Sequence, residues 1–226
     1  WRRTCDYRRA YRALNVIILS RLQQLLTELY DAPVEHSVED FLITDRSALA
    51  SLLPQHSEEQ ADEQVFVVQS EDDVRIGVYI DGAVLERLTR ANPLQALSDE
   101  NLHDYCTALE GVSHFHYLMW SLKRQRNVSL LELELQAEVD KYAGAVALFT
   151  RQREGNLPPE LHTRLFHAVS FLPHLDAAAR ERYEEANRHA ARLCRSLQDR
   201  FLNPRRSRPE KWLAELRRFF RCGHQE

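Results

Sequence analysis

Residues 107–120 read TALEGVSHFHYLMW. Wound into a helix, this stretch is apolar on almost every side, because Leu109, Val112, Phe115, Leu118, Met119 and Trp120 leave no wide polar face. It predicts a central helix over roughly 99–124, with Ser98 as its N-cap. Inside it, Glu110 and His114 stand four residues apart and therefore share a face. Cys106, Ser113 and Tyr117 extend that face into a polar stripe. A buried carboxylate is costly unless it is paired or bound to metal, so Glu110 requires a partner.

The next helix repeats the anomaly. Ser129 and Glu132 form an S-x-x-E capping box that opens a helix over about 130–152. Leu131, Leu135, Tyr142, Ala145 and Phe149 make its apolar stripe, and Glu138 falls on it. Glu132, Glu134 and Asp140 fall off the stripe and are expected in solvent. If the two helices converge, Glu110, His114 and Glu138 make an oxygen–nitrogen–oxygen ligand set, for which zinc is the candidate metal. Ser113, Tyr117 and Tyr142 would line the pocket around it. The plainer alternative is a buried charge-assisted Glu110–His114 pair that fixes helix packing, with Glu138 bridged to an arginine.

Outward from these helices, residues 7–30 repeat apolar positions at three and four and predict one long amphipathic helix, ended before Pro33. VEDFLITD (38–45) alternates like a strand, and EQVFVVQ (63–69) with VRIGVYID (74–81) predicts an antiparallel hairpin across the turn-type SEDD. Gly77 inside the second run implies a bulge or the close approach of another group. A short helix follows from residue 83. Beyond GNLPP (155–159), helices are expected over 160–169, over 177–201 behind Asp176, and over 209–221 with Pro209 at its first position. The expected fold is mostly helical α+β: a small antiparallel sheet with central helices in 1–153, and a helical region in 154–226 packed on it.

LEGVSHFHYL resembles the L-H-E-x-x-H-x-x-x-L helix of gluzincin-type metallopeptidases, with Glu110 at the first histidine and His114 at the second. QAEVDKYA (136–143) is similar to the E-x-E-A-x-x-F-A helix of their small cytoplasmic members, with Glu138, Tyr142 and Ala143 at matching places. The resemblance covers roughly 7–152 in element order and rests on these two short motifs. It implies a zincin-like fold and a metal at Glu110, His114 and Glu138. The family's catalytic carboxylate is replaced by Gly111, so no general base is assigned and no peptidase activity is implied.

Composition narrows the classes further. Six glycines, with no Gly-rich phosphate loop or dinucleotide fingerprint, exclude the common nucleotide-binding motifs. No apolar run approaches the roughly 20 residues that span a bilayer, so a soluble, cytoplasmic protein is expected, with its four cysteines as free thiols. The net charge of −4 hides basic ends: residues 1–12 carry net +4 and residues 195–226 net +5. Such ends could meet an acidic protein partner; nucleic acid is less favoured, because no aromatic residues interleave a basic motif. His162, His167, His174 and His189 occur without an E-x-x-H motif and are expected at the surface. Two functions remain: a degenerate zincin-like domain with a metal or peptide site, or a non-enzymatic interaction protein whose Glu–His pair is structural. If there is catalysis, it would be metal-dependent hydrolysis.

Overall fold

The computed structural model describes residues 17–52, 61–69, 74–168, 176–202 and 208–223. The expectations for the N-terminal arginines, for Cys5, for the SEDD turn and for His174 lie outside these residues. The chain is mostly helical with a small sheet. In order come helix α1 (17–30), β1 (Leu42–Ile43), α2 (Arg46–Leu52), β2 (Glu63–Gln69), β3 (Val74–Ile80), α3 (Gly82–Arg90), α4 (Leu102–Leu122), α5 (Leu130–Gln152), α6 (Leu161–Phe166), α7 (Ala177–Leu197) and α8 (Pro209–Cys222). The chain divides into two compact units. One holds the described residues up to Gln24 and Glu35–Phe115; the other holds Leu25–Val34 and the described residues from His116 onward.

The first unit contains the sheet, in the order β1-β3-β2. β2 and β3 form the expected antiparallel hairpin, with Phe66 opposite Gly77. The register runs one to one, so Gly77 marks no bulge. It marks a close approach instead: the Phe66 ring occupies the place where a Cβ at 77 would stand, its Cζ only 2.1 Å away. β1 pairs parallel to β3, which makes the sheet mixed rather than wholly antiparallel. The stretch expected as a strand over 38–45 is mainly a 3₁₀ turn at Val38–Phe41, leaving two residues to pair. The cause is local. The Val38 N–H donates to the Gln23 side chain at 2.8 Å, and the Asp40 N–H closes a turn on Ser37 O. Those donors are then unavailable to a ladder.

α3 starts at Asp81, whose carboxylate accepts from the Ala83 N–H at 2.8 Å, from Arg46 at 3.0 Å and from the Tyr79 hydroxyl at 2.8 Å. Burial opposes its ionisation, yet these donors hold its carboxyl below the usual value. Before α4, Asn101 organises the turn: its side chain accepts from the Ser98 N–H and donates to the Ala91 and Ala96 carbonyls. α4 therefore begins at Leu102, after that turn and not at Ser98. Arg87 grips the buried Asp104 through Nε and Nη2, at 2.7–3.0 Å.

In the second unit, α5 and α7 are packed together. Ala186, Ala190 and Cys194 line the buried side of α7, small side chains that let helices approach closely. Ser129 caps α5 by accepting from the Glu132 N–H, and Asp176 caps α7 by accepting from the Ala179 N–H. Phe220 of α8 stacks on Tyr30 at 4.3 Å and meets Trp120 and Tyr117 edge-on at 4.7 and 5.0 Å. Two of the C-terminal arginines serve this unit internally. Arg217 donates to the Glu28 and Leu29 carbonyls, and Arg221 to those of Tyr30 and Asp31. These are the carbonyls left open where α1 ends, and Asp31 takes the left-handed conformation (φ 50°) that stops it.

α5 overturns one expectation. Glu132, Glu134 and Asp140 are all buried, because this helix is covered on nearly every side and not along one stripe. Tyr30 donates to Asp140, as does Gln136 at 2.7 Å. His162 is buried too, its Nε2 2.8 Å from Ala191 O, whereas His167 and His189 are exposed as expected. No described helix is long and apolar enough to cross a membrane. Cys106, Cys194 and Cys222 are free thiols.

Candidate metal centre

α4 positions the two residues that drew attention first. Glu110 is half-buried, while His114 is 7% exposed and Ser113 fully buried. Within the first unit, Glu110 and His114 each offer one ligand atom, and the two lie within 4.8 Å of each other. Donors sharing one zinc at about 2.0–2.2 Å stand no more than about 4.4 Å apart. A small side-chain adjustment would therefore let the two share one ion. A carboxylate and an imidazole suit zinc and similar divalent transition metals better than calcium, which prefers an all-oxygen cage.

Glu138, the ligand expected from α5, is buried and lies 2.5 Å from Nζ of Lys141, one turn along its own helix. Glu134 stands one turn before it on α5. Periodicity put Glu134 in solvent because it fell off the apolar stripe. The i, i+4 spacing to Glu138 was the available signal that the two share a face.

Tyr117 and Tyr142, expected around the site, have other partners. Tyr117 donates to Glu132 Oε1 at 2.5 Å, and Arg126 donates to both of them. The Glu132 side chain thus serves this network rather than reaching back to close the capping box. Burial first, then the bond to Glu132, pushes the Tyr117 hydroxyl well above its usual pKa. Tyr142 donates to Gln198 at 2.7 Å and lies beside His162 and Phe166. Burial also raises its pKa. His116, on the same helix, is a packed core histidine at 6.2 Å from the Phe220 ring, and burial pushes it down to about 4.

A second carboxylate reaches α4 from the sheet. Glu63, at the start of β2, places Oε1 3.4 Å from Nδ1 of His114. Sequence periodicity gave no sign of it, because the contact spans 51 residues. No family model matches this chain, and no curated protein or solved structure compared with it matches either.

Proposed function

We propose that this protein is a metal-binding, zincin-like domain whose site lacks the carboxylate that would make it a peptidase. The observation that carries the reading is the pair Glu110 and His114 on α4, two donors within 4.8 Å of each other. His114 is buried, and a carboxylate with an imidazole on one helix face is a donor set suited to a divalent transition metal. At position 111, where the resembling family carries its general base, there is only Gly111. The site would then hold an ion and polarise a bound carbonyl or carboxylate without activating water through a neighbouring helix residue. In that role the domain binds a peptide or a partner and does not cleave it.

Metal analysis of protein purified without chelator, followed by zinc titration in a calorimeter, tests this. About one equivalent of zinc is expected, with a thermal shift corresponding to about 2.7 kcal/mol at a hundredfold excess over Kd. The double variant Glu110→Gln, His114→Ala should lose both signals. Absence of any saturable zinc binding by the wild type would refute the metal centre.

A further inference from the structure

Gly111 leaves a gap on α4, and that gap is filled from the sheet. A Cβ on Gly111 would stand 3.0 Å from Glu63 Cγ, 3.3 Å from its Oε1 and 3.3 Å from Val78 Cγ1. The Glu63 side chain therefore lies in room that any larger residue at 111 would claim. Its backbone is held on that course: Glu63 pairs with Ile80 in the ladder, and the Asp81 N–H donates to Asp62 O at 2.8 Å. From this place Oε1 stands 3.4 Å from Nδ1 of His114, with the two side chains 8% and 11% exposed.

An imidazole has two nitrogens, and the partner of one decides the role of the other. A carboxylate on Nδ1–H fixes the ring and leaves Nε2 with its lone pair, the arrangement in which histidine ligates metals. We propose that Glu63 is the positioning residue of the metal site: it accepts the Nδ1 proton of His114, presents Nε2 to the ion, and depends on Gly111 for clearance. This rests on the metal reading of Glu110 and His114. The 3.4 Å separation is at the long end of hydrogen bonding, and it should shorten once Nε2 binds a cation and Nδ1–H becomes more acidic.

The test uses the full chain, zinc calorimetry and long-range ¹H–¹⁵N spectra of the histidines. Glu63→Ala should weaken zinc binding by about 10–100-fold. Glu63→Gln, which keeps an acceptor oxygen and nearly the same shape, should recover part of that loss. Gly111→Ala should weaken binding by pushing Glu63 aside, and combining it with Glu63→Ala should cost little more than either alone. Residues in unrelated structural roles would instead add. Without metal, His114 should carry its proton on Nδ1 in the wild type and become a mixture of tautomers in Glu63→Ala. If the wild type binds zinc and Glu63→Ala binds within twofold of it, the positioning role is overturned while the metal centre stands. If the wild type binds no zinc, both fall. Should Gly111→Ala fail to fold, the two Glu63 variants and the spectra still decide the matter.

Discussion

α4 carries two polar clusters of opposite kinds. Around Tyr117 the protein provides its own cation: Arg126 donates to both Tyr117 and Glu132, and the charges balance within the fold. Around His114, Glu110 and Glu63 bring two carboxylates to an imidazole, the donor types that hold divalent metals. Charge balance at the first cluster is part of folding. The second offers metal-ligand chemistry. One cluster is therefore expected to act as a structural joint, and the other as a site.

The largest expected effect breaks the first cluster. Glu132→Ala leaves Arg126 and the Tyr117 hydroxyl without the carboxylate they share, in a place where Glu132 is only 8% exposed. Removing one partner of a buried pair costs about 3–5 kcal/mol. Arg126 is 24% exposed, which puts the expectation at the lower end, about 3 kcal/mol in urea unfolding. Zinc should not restore any of it. If Glu132→Ala lost less than about 1 kcal/mol, the two clusters would not differ in kind.

The contrast between the clusters was only half legible in the sequence. Glu110 and His114 announced themselves because a carboxylate and an imidazole interrupt an apolar helix at i, i+4. The helices α5, α7 and α8, with Ser129, Asp176 and Pro209 at their starts, were legible for the same local reason: caps and periodicity act over a few residues. Arg126 was not legible as the partner of Glu132, because burial of an off-stripe acid depends on what covers the helix. Glu63 was still further from view. Its contact with His114 exists only because strand β2 is brought alongside α4 and Gly111 yields the space. Even β1 was misjudged for a tertiary reason, since the Gln23 side chain takes the Val38 N–H.

A second prediction concerns the polar group that belongs to neither cluster. His116 is pushed by burial from 6.5 to about 4, a shift that the Ala32 backbone opposes in part. Between these values the unfolded chain holds the proton and the native chain does not. Stability should therefore fall as pH drops from about 6.5 to about 4, by roughly 3 kcal/mol from this group, and level off below that. His116→Phe should remove this component. Urea midpoints of the two proteins at pH 7, 5.5 and 4 measure it as the change in their difference. A difference that does not move with pH would mean that His116 titrates normally. The wild type should keep its dependence with zinc present, because His116 is not among the proposed ligands.

The smallest effect is the most discriminating, because its size depends on metal. Glu110 is half-buried and offers a ligand atom within 4.8 Å of one on His114. In chelator, Glu110→Gln, which nearly keeps the shape of the side chain, should change stability by less than about 1 kcal/mol. With zinc present the variant should fall behind the wild type, since it loses a charged ligand and with it the stabilisation that comes from binding the native state alone. Glu132→Ala offers the contrast: its loss should be the same in chelator and in zinc. A paired urea titration of both variants under both conditions therefore separates a site from a joint. If Glu110→Gln behaved like Glu132→Ala, costing the same with and without zinc, the acids around His114 would be one more internally balanced cluster.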